Sequence, residues 1–330
     1  MVLIKPCPSF YSADQLDAYL KCIRLGDISR EPTLETLTRI GQQHLCRFPF
    51  ENTSMQYTES GAMDITPAAV YERFLSGKGG SYCFGHSLCM LGMLRTMGYR
   101  AYATAARGTG GMSTEVLEFS QPRHIVLFVQ IPRTDGTPPQ ETYIVDVGVN
   151  LMGPARPILL KEGEVVMGAA PPEKHRLIKG PMPNSSLDET DAESRDVAEN
   201  WMYQVNLDTR GKPLEEGSWR IMFAFSMEEY SVRDFEAFSF VVTYKPGGIL
   251  NDRIMASRWT PIEGDGGLFA RIVLSKRDRV MWYGGEEVRT LKELHCEEDR
   301  IEALRKYFGI TIERGGESYL RDIFKFGPKA

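Results

Sequence analysis

Apolar residues three and four positions apart mark four helices in the first hundred residues. Ser12-Ala13-Asp14-Gln15 is a capping-box pattern, and Leu16, Tyr19, Leu20 and Ile23 then share one face before Gly26. Thr33 opens a second helix through Leu34, Leu37 and Ile40 to about Leu45. The stretch RFPFENTSMQY reads as a loop. Thr66-Pro67 begins a third helix, with proline at its first position and Val70, Tyr71 and Phe74 following. The fourth lies in Gly77–Gly98, GKGGSYCFGHSLCMLGMLRTMG. There Phe84, Leu88 and Leu91, with Met90, Leu94 and Met97, keep helical spacing, and Gly98 is the expected stop. Residues 1–98 are therefore expected as a helical unit.

At Tyr99 the period changes. YRAYATAARG, TEVLEFS, HIVLFVQI and ETYIVDVGV are short β-branched or aromatic runs separated by turn residues, as in an antiparallel sheet or small barrel over 99–228. Strand-like runs recur at Trp201–Leu207 and Trp219–Phe225. Between them and the earlier strands, 171–199 is poor in apolar residues, and 188–199 carries six acids against one arginine. That segment is expected as a polar surface insertion. Residues 229–330 alternate: a connecting helix from Glu228 to about Phe238, strands near Leu268–Ser275 and Val280–Tyr283, and a helix over Glu297–Phe308. The class is α+β.

Composition narrows the function. With 330 residues, 42% hydrophobic and 25% charged, the chain has ordinary globular values. A net charge of −5 argues against a nucleic-acid footprint. No run approaches ~18 apolar residues, so no transmembrane helix is expected, and the start lacks a signal-type apolar region. The cysteines are Cys7, Cys22, Cys46, Cys83, Cys89 and Cys296, with no C-x-x-C pair. That spacing fits neither a disulfide framework nor a zinc site, so a reduced, cytosolic setting without metal is expected.

Cys83 opens the fourth helix behind flexible glycines. Unpaired amides and the positive end of the helix dipole favour a nucleophilic thiolate there. A buried structural cysteine fits the same position. A nucleophile needs a base and the base an orienting acceptor. His44 sits among apolar residues of the second helix, His175 lies in the polar segment, and His295 follows a turn. His86, three residues after Cys83, would point back along the helix. His124 opens the strand HIVLFVQI, and Asp146 lies near the end of ETYIVDVGV. A hairpin would make these two cross-strand neighbours. On residues alone, an edge histidine and a turn aspartate is the favoured reading.

The combination resembles the arylamine N-acetyltransferases. PFEN at Pro49–Asn52, the KGGSYC stretch, HIVLFV, YIVDVG and Asp234-Phe235-Glu236 are similar to that family's motifs, and the length and acidic segment are similar to those of fungal members. Lys78 stands where arginine is usual and Ser81 is an extra residue. Gly85 and Ser87 replace the usual Glu/Gln and Asn. The resemblance implies a helical bundle, a central β-barrel and an α/β lid around a cysteine-protease-like core. It implies a Cys83–His124–Asp146 triad, ping-pong acyl transfer from acyl-CoA to an aromatic amine or hydrazine, and a detoxifying role. Phe50 would line the acceptor pocket. No permanent cofactor is implied, and a monomer or weak homo-oligomer is expected. Arg123 precedes His124, where the family more often has a small or apolar residue. Regular alternation would turn it away from Cys83. The strand only starts here, after Pro122, and a guanidinium turned inward would pair with a carboxylate on the acyl group. Acetyl-CoA is thus the default donor and malonyl-CoA the alternative, a solvated loop arginine being the other reading. A cysteine hydrolase or transglutaminase-like enzyme, or a non-catalytic acyl-CoA or arylamine binding protein, would carry the same motifs.

Overall fold

A computed structural model describes residues 2–109, 118–133, 135–139, 141–183, 185–207, 219–245, 247–264, 267–275 and 278–326. Five helices lead: α1 (Ala13–Cys22), α2 (Leu34–Arg47), α3 (Ser54–Tyr57), α4 (Pro67–Leu75) and α5 (Cys83–Thr96). The expected caps form. Ser12 and Gln15 exchange the two hydrogen bonds of a capping box, and Pro67 takes the first position of α4. From Cys83 to Leu94 every residue of α5 is buried, so this helix has no polar face and runs through the core. Each large apolar side chain it buries stabilises by about 1.5–3 kcal/mol. The nucleophile candidate therefore rides on a firmly anchored element.

Eight antiparallel strands form a nearly closed barrel in the order β5-β4-β3-β2-β9-β8-β7-β6. They are β2 (Arg100–Gly108), β3 (His124–Gln130), β4 (Tyr143–Val145), β5 (Ile158–Leu159), β6 (Val166–Met167), β7 (Lys174–Pro181), β8 (Glu199–Asn206) and β9 (Trp219–Phe225). Just past β5, Glu162 bridges Leu177 of β7, which brings the two ends of the sheet together. Strands β2, β3 and β4 read as unbroken apolar runs because both faces are buried. Ala101, Ala103, Ala105, Ile125, Leu127, Val129 and Val145 pack into the bundle core with α5. Tyr102, Ala106, Val126, Phe128 and Ile144 pack into the barrel interior.

A second sheet, β1-β10-β11-β12-β13, uses β1 (Phe50–Glu51), β10 (Ala256–Pro261), β11 (Phe269–Ser275), β12 (Arg279–Gly284) and β13 (Glu287–Glu293). Further helices are α6 (Ala192–Ala198), α7 (Val232–Tyr244), α8 (Ile249–Asp252) and α9 (Glu297–Ala303), with a π-helical turn (Leu304–Phe308) prolonging α9 and 3-10 turns at Gly316–Tyr319 and Asp322–Phe324.

Several expectations change. The segment 171–199 is not a polar loop: it holds β7, whose eight residues pair with β8, and α6. The stretch around PFEN, expected as a loop, holds β1 and α3. Because β1 pairs with β10, the first hundred residues are not purely helical. The connecting helix starts later and runs on to Tyr244. Most of the expected strand TEVLEFS lies outside the described residues, and 118–120 carry no strand.

Candidate active site

Cys83 is the first residue of α5, and Tyr82 before it provides no side-chain cap. The helix therefore presents its first-turn amides without a competing capping group. The Tyr82 hydroxyl instead bonds Ser239 of α7, fixing the entry to the helix. The Cys83 Sγ lies 3.5 Å from the carbonyl oxygen of Arg123, the residue just before β3. His124 begins β3, and its Nε2 donates to Asp146 Oδ2 at 2.6 Å. The ring packs against Phe223 with centroids 4.9 Å apart. The pair is diagonal rather than directly opposite. Leu127 faces Val145, so continuing the register sets Asp146 across from Val126, on the same face as His124.

Asp146 is fully buried and makes two bonds. Oδ2 accepts from His124, and Oδ1 accepts from the Gly148 amide at 2.9 Å. Gly148 lies against Cys83: an added Cβ would come within 2.7 Å of the Cys83 Cα. One carboxylate thus bonds the imidazole and holds the backbone that packs on Cys83. Burial opposes a charge on His124, but the Asp146 carboxylate and Cys83 outweigh it and raise its pKa to about 10. With Nε2 engaged by Asp146, Nδ1 is left to face Cys83.

His86 and His44 are bound elsewhere. His86 Nε2 donates to the Pro49 carbonyl at 3.0 Å, and its Nδ1 meets His44 Nε2 at 2.8 Å. The Tyr19 hydroxyl meets His44 Nδ1 at 2.9 Å. Since the carbonyl only accepts, the chain of bonds fixes both tautomers. Burial lowers the His86 pKa to about 4, so both of its nitrogens are committed to the core.

PFEN acts as a junction. Buried Glu51 accepts from Arg73 at 2.6 Å and from the Gly80 amide at 3.2 Å, bracing the glycines before Cys83. Asn52 donates to the carbonyls of Leu250 and Arg253 and accepts from the Met255 amide. Phe50, half-buried, lines a small cleft of about 10 Å3 with Leu45, Phe48, Val147, Val149 and Trp259. Val147 and Val149 flank Gly148, so this cleft adjoins Cys83.

Two motif departures are linked. An added Cβ at Gly85 would lie 2.1 Å from the Ser81 hydroxyl. The extra serine occupies the space that a side chain at 85 would need.

The sequence reading missed Gly148, Phe223 and the double duty of Asp146. Each depends on contacts between distant segments, although the glycine two residues after Asp146 was visible. Another buried group joins the sheets: Arg271 of β11 forks onto Glu173 at 2.6 and 2.8 Å, and His175 bonds the same carboxylate at 2.9 Å. Among the described residues, no group of three or more His, Cys, Asp or Glu could hold a metal ion. No helix among them is long and apolar enough to cross a membrane.

The family profile described as N-acetyltransferase matches residues 33–316. The chain belongs to this N-acetyltransferase family. It is an enzyme, an N-acyltransferase. It is 25% identical over 328 residues to the N-malonyltransferase FDB2 of Fusarium pseudograminearum, covering 92% of this chain and 91% of that protein. The solved arylamine N-acetyltransferase of Mycobacterium abscessus has a similar fold, with TM-score 0.73, 23% identity and 94% of each chain covered. The Mycobacterium marinum arylamine N-acetyltransferase in complex with CoA gives TM-score 0.72 at 22% identity, covering 92% of this chain and 97% of that one. Members of the N-acetyltransferase family thus share this arrangement of bundle, barrel and second sheet.

Proposed function

We propose that this N-acyltransferase moves an acyl group from an acyl-CoA to an aromatic amine or hydrazine, by way of a thioester on Cys83. His124 Nδ1 takes the thiol proton before the donor arrives, giving an imidazolium beside a thiolate, and Sγ then attacks the donor's thioester carbonyl. The Sγ–C bond forms, the C–S bond to CoA breaks, and His124 returns the proton to the departing CoA thiol. An amine then attacks the acyl-cysteine, its proton passes to His124, and Sγ leaves and is reprotonated. Asp146 holds the imidazole tautomer throughout. The first-turn amides of α5 stabilise negative charge developing beside Sγ.

The observation that carries this reading is the 2.6 Å His124–Asp146 bond at a cysteine that opens a buried helix. The N-malonyltransferase relative brings malonyl-CoA into consideration beside acetyl-CoA. The six unpaired cysteines support a reducing, cytosolic setting, where clearance of foreign aromatic amines would take place. In this scheme 1–98 supplies the nucleophile, 99–228 the base and its orienter, and 229–330 the cover.

Incubation with acyl-CoA and no amine should add one acyl mass to the peptide bearing Cys83, and an aromatic amine should then remove it. Acylation of Cys89 or Cys46 instead would end the assignment.

A further inference from the structure

Arg123 sits one residue from the base and touches the nucleophile through its backbone. Its amide donates to the Ala106 carbonyl at 3.1 Å, and its own carbonyl receives the Cys83 thiol. The chain is thereby fixed against β2, and the side chain folds back along that strand. An added Cβ on Gly108 would lie 3.0 Å from Nη2 and 3.1 Å from Nε of Arg123, so the planar guanidinium lies on bare backbone. Gly108 is itself pinned, since Ser120 bonds both its amide and its carbonyl.

The guanidinium is half-buried, yet it forms no hydrogen bond or ion pair with a described residue. Burial lowers its pKa, and the charge it senses in opposition is that of Cys83. A cation partly stripped of water, with its fork of donors unspent among the described residues, is matched by a carboxylate presented bidentately. The acyl group on Sγ is the ligand chemistry delivered to this place. In a malonyl group, a carboxylate follows the thioester carbonyl after one methylene.

We propose that Arg123 binds the free carboxylate of the acyl group and selects short dicarboxylic acyl-CoA donors over neutral ones. The inference rests on the acyl-transfer reading above. Acylation balances as before: Sγ–C forms, C–S to CoA breaks, and the thiol proton passes through His124 to CoA. The carboxylate stays ionised and unreacted.

The test uses the full chain and one aromatic amine. kcat/KM is measured for malonyl-CoA, its neutral methyl half-ester and acetyl-CoA, in wild type, Arg123→Gln and Arg123→Lys. Acyl mass on Cys83 is followed alongside. Wild type should prefer malonyl-CoA to the half-ester. Arg123→Gln should lower the malonyl-to-acetyl ratio by about 10- to 100-fold, the span of a lost charged hydrogen bond, chiefly through KM. Arg123→Lys should restore part of it, as a point charge without the fork. An unchanged ratio, with Cys83 still acylated by acetyl-CoA, overturns this inference and leaves the acyl-transfer reading standing. Failure of every donor to acylate Cys83 overturns both. If Arg123→Gln does not fold, the wild-type comparison decides, and equal use of malonyl-CoA and its half-ester overturns the inference.

Discussion

Asp146→Asn sets two hydrogen-bond demands against each other. The carboxylate accepts twice, from His124 Nε2 and from the Gly148 amide. An asparagine has one oxygen and one NH2. If its oxygen keeps the Gly148 amide, its NH2 faces Nε2, which must then accept. The proton moves to Nδ1, and the ring can no longer take the thiol proton. If the oxygen instead faces His124, two donors meet at Gly148, and the backbone on Cys83 shifts. Either way the acylation step fails. A wrong tautomer in a comparable triad costs about 10,000-fold in kcat, or about 5.5 kcal/mol at ~1.4 kcal/mol per tenfold. The lost charged hydrogen bond costs about 1.5–3 kcal/mol of stability. Catalysis should therefore fall much further than stability, which separates an orienting role from a purely structural one. The assay is the rate of CoA release from acyl-CoA without amine, beside urea unfolding. Histidine NMR adds a direct readout: His124 should titrate near 10 in wild type and move toward the ordinary histidine range in the variant. Its folded pKa is raised, so its contribution to stability is full below about 6.5 and is lost as pH climbs through about 10. The stability gap between the two proteins should narrow over that window. A folded variant that acylates within tenfold of wild type would refute the reasoning.

Gly148→Ala drives a methyl to within 2.7 Å of the Cys83 Cα. Displacement of the nucleophile should cost about 100-fold in acylation rate, and unaltered single-turnover kinetics would contradict the contact. Arg271→Met leaves the buried Glu173 carboxylate without its cation, so urea unfolding should show a loss of about 3–5 kcal/mol; a loss under 1 kcal/mol would mean that the pair does not hold the two sheets together. Gly85→Ala should lower Tm through its clash with the Ser81 hydroxyl, and Ser81→Gly in the same chain should restore it. Additive losses in the double variant would show that the two departures are unrelated.

The helices were readable because their signals are local. Ser12, Gln15 and Pro67 act within one turn, and the apolar spacing of α2, α4 and α5 needs no distant partner. The strands β2, β3 and β4 were readable because burial on both faces leaves them apolar throughout. β7 was missed because Lys174, His175, Arg176 and Lys179 look solvated in sequence. Their partners come from elsewhere: Arg176 lies over Trp219 at 4.2 Å, Lys179 over Trp201 at 5.1 Å, and Glu173 beside His175 is matched by Arg271. A cation on an aromatic face counts as polar in composition and as packed in space. β1 is two residues long and exists through its pairing with β10, about two hundred residues away. In the site, Cys83, His124 and Asp146 were each named by a local feature: a helix start, a strand start and a strand end. Arg123 could not be oriented from alternation, because the residue before a strand obeys no parity.

The position of the site follows from the two-faced sheet. Along β3, Ile125, Leu127 and Val129 face α5, whereas Val126 and Phe128 face the barrel interior. His124 shares the barrel face, and Asp146 reaches it from the neighbouring strand. A cysteine in the middle of α5 would meet the opposite face, with the sheet between it and His124. Cys83 and His124 can meet only where the sheet ends, at the first residue of the helix and the first residue of β3. There Gly148 turns past the end of β4 and closes on Cys83. The helix start that supplies the dipole and free amides is thus also the one part of α5 that His124 can reach. Chemistry and topology select the same residue.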